Sequence, residues 1–267
     1  MEIVKELSPM LLDNKITKVG HNLKATLLTL KKYNTDIAGP LFDVMLAHYL
    51  IEPEAAHDLA ILCSQYLNYD LLSTKETNLK DRLCERAELL FQLRSKLYYE
   101  LEQRRHVKLM METEMPLSRV LASMEFEGVT IDVNALSKMS EELKLESERV
   151  QREIFQMAGA EFNIGSPKQL GDIIFDKMKL MEKPKKTKSG QYATGEDVLV
   201  GLASKHEIAR KILDFREYEK LRSTYVDALA RMIRKADGRV LTDYGQAWAV
   251  TGRLSSNNPN LQNIPIR

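Results

Sequence analysis

Thr251-Gly-Arg253-Leu-Ser-Ser256-Asn-Asn-Pro259-Asn260-Leu-Gln262-Asn263-Ile-Pro265-Ile-Arg267 decides how the rest of the chain is read. Apart from its two arginines the stretch carries no charge, and two prolines interrupt it. Each Asn and Gln brings donors and acceptors that need partners, which makes the segment a poor core element. It suits a surface facing a partner rich in hydrogen-bonding groups. The bland alternative is a polar C-terminal tail.

Composition narrows the class. Hydrophobic residues make up 44% and charged residues 29% of 267 positions, which predicts a folded chain large enough for one big domain or two smaller ones. No apolar run reaches the length of a membrane span, and Met1-Glu-Ile-Val-Lys-Glu lacks a leader pattern, so a cytoplasmic protein is expected. Cys63 and Cys84 are too few for a disulfide framework and sit in apolar, helix-like contexts, so both are expected to be buried thiols. Net charge is only +1, but residues 201–267 hold 12 Lys+Arg against 7 Asp+Glu. Lys183, Lys185, Lys186 and Lys188 form a second basic cluster. Local patches rather than the global sum attract phosphate.

Upstream of the polar segment, Asp237-Gly238 predicts a turn and residues 239–250 alternate like paired strands. Before them a long helix is predicted near Ile208–Ile233. At roughly 100° per residue its Tyr218, Leu221, Tyr225, Leu229 and Met232 fall within about 80° of one another. Arg216, Lys220, Arg231 and Arg234 lie opposite, with Ser223 and Asp227 among them, and most such faces are simply solvated. Ser166-Pro167-Lys168 opens another helix with a cap and a first-turn proline, where free N–H groups beside Lys168 could hold a phosphate. Thr194 with Asp197 reads as a capping box. Asp132 is predicted to cap a helix from Val133 to about Ala158. Pro116 starts, and Gly128 stops, a helix with Leu117, Val120, Leu121 and Met124 on one face, and the methionines (Met110, Met111, Met115, Met124) read as core filler.

The first hundred residues read as alternating helices and short apolar stretches. Pro9 and Asn14 interrupt the opening helical pattern, and Ile16–Gly20 is a strand candidate. Asn22 is placed to cap a helix through Leu23, Leu27, Leu28 and Leu30. Gly39-Pro40 marks a turn, and Leu79 to about Tyr99 is a helix with apolar Leu83, Ala87, Leu90 and Leu93.

The segment 251–267 closely resembles the one that leads into the palm of bacterial DNA polymerase I-type (family A) polymerases. Phe215-Arg-Glu-Tyr-Glu-Lys220-Leu-Arg-Ser-Thr-Tyr225 is similar to the thumb of that family. Val19-Gly-His-Asn-Leu-Lys24 and Gly39-Pro-Leu-Phe-Asp43-Val-Met-Leu-Ala-His48 are similar to its proofreading exonuclease domain. The implied fold is α+β and predominantly helical. It consists of a partial RNase H-like exonuclease domain (1–105), a helical thumb with its lead-in (106–238) and the first palm strands (239–267). Arg253 is then the expected contact at the primer terminus. Asn260, Gln262, Asn263 and Arg267 are expected along the minor groove, and Ser166, Lys168, Arg216, Lys220 and Arg222 on phosphates. The implied partner is a double-stranded primer–template, bound by a monomer with no membrane involved. Deoxynucleotides and Mg²⁺ belong only to the full-length parent.

Departures from the family pattern matter as much. Thr26 stands where the exonuclease places an Asp, and a later Tyr-x-x-x-Asp signature falls on Arg82–Arg86. The first Asp-x-Glu strand of the family would lie before Met1. The cluster of carboxylates that two-metal hydrolysis requires is therefore not expected. Asp243-Tyr-Gly-Gln246 imitates the catalytic Asp-Tyr-Ser-Gln motif but precedes Thr251-Gly-Arg-Leu-Ser-Ser256, so Asp243 reads as an upstream strand residue. The polymerase carboxylates lie beyond residue 267 in the family, and the chain alone is expected to lack both catalytic activities. Two other readings stay open: a non-catalytic scaffold or protein-interaction module, and a surviving nuclease, which Thr26 and Arg86 disfavour.

Overall fold

The computed structural model describes residues 2–72, 77–188 and 190–265. Two compact units form: one from the residues up to Val129 together with those from Arg239 onward, the other from Thr130–Gly238. The polypeptide passes between them at β3 (Val129–Thr130) and β4 (Arg239–Val240).

In the first unit, α1 (Glu2–Leu12) runs through Pro9, which is contained within the helix instead of ending it. β1 (Lys18–Gly20) and β2 (Leu41–Asp43) pair in parallel, Lys18 opposite Leu41 and Gly20 opposite Asp43. Between them lies α2 (Leu23–Lys31), capped by Asn22, whose side chain accepts from Ala25 N. After β2 come α3 (Val44–Ile51) and α4 (Leu59–Leu67), then the long α5 (Leu79–Gln103). Leu89, Leu93, Leu97 and Leu101 recur every fourth residue on α5 and bury one stripe. Leu83 and Ala87, expected on that stripe, are exposed: the core reaches only the C-terminal half of the helix. Cys63 is buried, but Cys84 lies on the exposed N-terminal half and is accessible.

Next, α6 (Val107–Leu109) passes through a wide π turn (Met110–Glu114) into α7 (Met115–Glu127). Met110 and Met115 fill the core, whereas Met124 and Val120 are exposed. The buried face of α7 holds Ser118, Leu121, Ala122 and Glu125, rotated from the expected one because two polar side chains find partners inside. Gly128 ends the helix at φ 71°. A Cβ there would lie 2.8 Å from Val240 O, so the stop also admits close backbone approach.

The second unit is helical. α8 (Val133–Ala158) is capped by Asp132, which accepts from Ala135 N. α9 (Pro167–Gly171) continues through a π turn (Asp172–Lys177), and α10 (Glu196–Ala203) follows. α10 is capped by Gly195 with no side-chain bond, so Thr194 and Asp197 do not form a capping box. α11 (Glu207–Lys220), a π turn (Leu221–Val226) and α12 (Asp227–Met232) make up the predicted long helix. Val150, Ile154, Leu170, Ile174, Leu199, Ile208 and Ile212 form its core. Met232 is exposed, against expectation. The π turn adds a residue and shifts the helical phase, so Val226 at its end and Leu229 beyond it are the buried positions.

Candidate nucleic-acid interface

In the first unit the polar segment ends an antiparallel hairpin. β5 (Asp243–Gly245) pairs with β6 (Ser255–Asn257), Gly245 opposite Ser255, and residues 246–254 form the connecting loop. Two buried hydroxyls pin its far side. Thr242 Oγ1 lies 2.8 Å from Ser256 Oγ and within hydrogen-bond reach of Asn257 O (2.9 Å) and Pro259 O (2.8 Å). Leu261 N donates to Ser256 Oγ (3.1 Å). Asn260 and Gln262 are exposed but partly engaged: Asn260 Oδ1 accepts from Gln262 N (3.0 Å), and Gln262 Nε2 donates to Leu254 O (2.9 Å). Asn263 is exposed, and Arg267 lies outside the described residues. Arg253 is exposed at the loop, with no hydrogen bond or ion pair to any described residue.

The base of the hairpin is held from inside. Gln246 is buried, accepting from Ser118 Oγ (2.7 Å) and donating to Glu114 Oε2 (2.9 Å). Tyr49, also buried, donates its hydroxyl to Ala249 O (2.7 Å). Lys24 Nζ sits between the carboxylates of Glu125 and Asp243 and also donates to Tyr244 O (2.7 Å). Glu125 Oε1 takes the Tyr244 N–H as well (2.7 Å). Asp243, the residue that imitates a catalytic acid, is thus an ion-pair partner of Lys24. Reading the chain alone missed Ser256, Thr242, Gln246 and Glu125. Gln246 and Glu125 are matched to groups 128 and 119 positions away, and Thr242 and Ser256 to each other across the hairpin, where no local pattern marks the pair.

Of the cations expected on phosphates in the second unit, two are tied down. Arg216 is half-buried and donates Nη1 to Thr194 O (2.6 Å); burial pulls its pKa below the ordinary value. Arg222 pairs with Glu219 (3.3 Å) and lies 3.9 Å from Asp227. Lys220 and Lys168 are exposed and unpaired among the described residues. Ser166 caps α9, its Oγ accepting from Gln169 N at 3.5 Å, a weak bond that leaves the helix start open.

The positions expected to have lost metal ligands have other surroundings. Thr26 and Arg86 line an apolar cavity of about 810 Å³ with Val19, Leu23, Leu59 and Leu90. Arg82 is half-buried on α5. Asp43 is fully buried, but its oxygens accept from Asn22 N (3.0 Å), Leu23 N (2.6 Å) and Met45 N (2.9 Å). Burial nonetheless raises its pKa above the usual carboxylate value. Glu85 accepts from Tyr69 Oη (3.0 Å) and Leu72 N (2.8 Å). Among the described residues no group of three His, Cys, Asp or Glu is disposed to hold a metal. The residues present do not fit a divalent-ion pair.

With this geometry in hand, the similarities to known proteins take on meaning. Residues 133–267 match the family model for DNA polymerase family A, and residues 1–97 match that for the 3′–5′ exonuclease. The chain belongs to DNA polymerase family A. It is 39% identical to DNA polymerase I of Geobacillus stearothermophilus over 96% of its length, spanning 30% of that protein. With DNA polymerase I of Synechocystis sp. it shares 40% identity over 99% of its length and 29% of the relative. The chain thus spans under a third of these curated relatives. Among solved structures, the POL domain of Pol1 from M. smegmatis, in complex with DNA primer-template and dNTP, is similar with a TM-score of 0.83 and 33% identity. The likeness covers 98% of this chain and 45% of that one. No helix among the described residues is long and apolar enough to cross a membrane.

Proposed function

We propose that this chain supplies the duplex-holding part of a cytoplasmic DNA-directed DNA polymerase, acting as a monomer on primer–template DNA. The observation that carries the reading is Arg253, a guanidinium without a partner among the described residues, on a hairpin loop whose base is fixed by buried polar contacts. A planar, permanently charged fork suits minor-groove acceptors, which recur at every base pair and allow a check of shape without sequence preference. Asn260, Gln262, Asn263 and Arg267 would extend that contact. In the second unit Lys220, Lys168 and Ser166 would hold phosphates, with Arg222 and Arg216 contributing beside their internal bonds. Deoxynucleotides and Mg²⁺ are assigned to the whole parent polymerase and not to this stretch. The subdivision into exonuclease-like (1–105), thumb (106–238) and palm-start (239–267) parts belongs to the same proposal.

The test is fluorescence anisotropy with a labelled duplex. Arg253→Ala should weaken binding by roughly tenfold or more and lower the slope of log K against log salt by about one. Unchanged affinity in Arg253→Ala and in Lys220→Ala would favour a scaffold. Primer extension by the chain alone, with Mg²⁺ and four deoxynucleotides, should give no product. A second reading, that residues 1–105 serve as a scaffold, is favoured by the apolar cavity at Thr26 and Arg86.

A further inference from the structure

The loop that carries Arg253 carries a second exposed group. Trp248 is the only tryptophan of the chain and is 67% exposed. It makes no hydrogen bond to any described residue, and Val250 beside it is also exposed. A lone exposed apolar side chain is ordinary. What distinguishes Trp248 is its mounting. Two residues before it, Gln246 is buried and clamped to Ser118 and Glu114. One residue after it, Ala249 O is held by the buried Tyr49 hydroxyl and again by Gly252 N (3.0 Å). Beneath it, Gly245 leaves the space the indole edge occupies: a Cβ there would lie 2.9 Å from Trp248 Cδ1. The indole is therefore presented to solvent from a backbone fixed on both sides, so little ordering entropy remains to be lost on contact.

The charge of the surroundings selects the partner. From Tyr244 to Arg267 the sequence has no Asp or Glu. Asp243, the next carboxylate back along the chain, shares the Lys24 ammonium with Glu125, and Glu114 beneath the loop accepts from Gln246. With Gly245 opposite Ser255, Trp248 and Arg253 sit on the two sides of one hairpin loop. A flat apolar face and an unpaired cation on one acid-free loop match a strand of nucleic acid, whose phosphates alternate with apolar sugar and base faces.

We infer that Trp248 is a DNA-contact residue, its indole packing against the deoxyribose wall of the duplex while Arg253 enters the groove alongside. The inference rests on the duplex-binding reading above and adds an apolar, salt-independent component to it. A sugar contact displaces no counterion, so removing it weakens binding without changing the salt slope. That is the opposite signature to loss of Arg253.

The test uses the full chain, a labelled blunt duplex and two readouts, anisotropy and tryptophan emission excited at wavelengths tyrosine does not absorb, which Trp248 alone supplies as the single tryptophan. Wild type should bind with a change in tryptophan emission. Trp248→Ala should bind several-fold more weakly at every salt concentration with an unchanged slope, and Trp248→Phe should recover most of the loss. Circular dichroism of the variants should match wild type, since the side chain is exposed. Wild-type affinity in Trp248→Ala overturns the contact alone, as does a loss that vanishes at high salt. Failure of the wild-type chain to change the anisotropy overturns both the contact and the duplex-binding reading.

Discussion

Replacing Lys24 with Met tests what holds the hairpin in place. The Lys24 and Glu125 side chains are only 12% and 7% exposed, and their ammonium and carboxylate are in direct contact. Methionine keeps the length and apolar stem but removes the cation. Glu125 would then be a buried carboxylate with a single donor, Tyr244 N at 2.7 Å. Breaking a buried pair from one side costs about 3–5 kcal/mol, because the remaining charge has lost its counter-charge but not its desolvation. The arm to Asp243, a residue 55% exposed on its side chain, adds at most about 1 kcal/mol. Urea and thermal unfolding followed by circular dichroism read the loss. The melting temperature should fall by roughly 6–20 °C, taking about 2–4 °C per kcal/mol. Lys24→Met with Glu125→Gln removes both charges and keeps the shape, so the double variant should recover about 2 kcal/mol or more relative to the sum of the single changes. A Lys24→Met chain within about 1 kcal/mol of wild type, or strictly additive single and double variants, would refute the account.

Three further outcomes follow from the same geometry. His48 Nδ1 and His57 Nδ1 lie 2.9 Å apart, His48 Nε2 lies 3.9 Å from Glu52, and burial lowers both imidazole pKa values from the ordinary 6.5. Well above pH 6.5 neither state is protonated and stability is at its full value. As pH falls below that, the unfolded chain takes up protons first, so the urea midpoint should drop, and His57→Gln should flatten the drop. Asp43→Ala removes the acceptor for three backbone N–H groups, so it should cost about 3 kcal/mol or more in the same unfolding assay, with Asp43→Asn costing less. Arg216→Ala should lower stability by about 1–2 kcal/mol through loss of its bond to Thr194 O, while duplex affinity falls less than for Lys220→Ala.

These predictions separate what could be read along the chain from what could not. Asn22, Gly128, Asp132 and the Ser166-Pro167 pair gave their turns and helix ends correctly, because a cap involves a residue and its neighbours within one helical turn, whereas Pro116 lies inside a helical run that begins upstream at Val107. Periodicity failed where the environment is not uniform along an element. On α5 the apolar spacing runs past the end of the core, so Leu83 is exposed although Leu93 is fully buried. On the α11–α12 helix a π turn changes the phase, and Met232 leaves the buried stripe.

The candidate interface shows the sharper limit. A row of arginines and lysines states where positive charge lies, not whether it is free to meet a phosphate. Arg216 and Lys220 stand one helical turn apart on α11, yet one donates to a carbonyl of the loop before α10 and the other has no partner among the described residues. The difference is set by Thr194, remote in sequence, just as the hairpin is set by Lys24, which is 101 positions from Glu125 and 219 from Asp243. Buried polar groups must be matched or they destabilise the fold, so Ser118, Glu125, Thr242, Gln246 and Ser256 are used up inside. Arg253 and Trp248, exposed on the same hairpin and without a hydrogen-bond partner among the described residues, are the groups proposed to be available to a partner. Functional residues on this surface are thus found by subtraction, after every internal bond has been assigned, and that subtraction needs the three-dimensional structure.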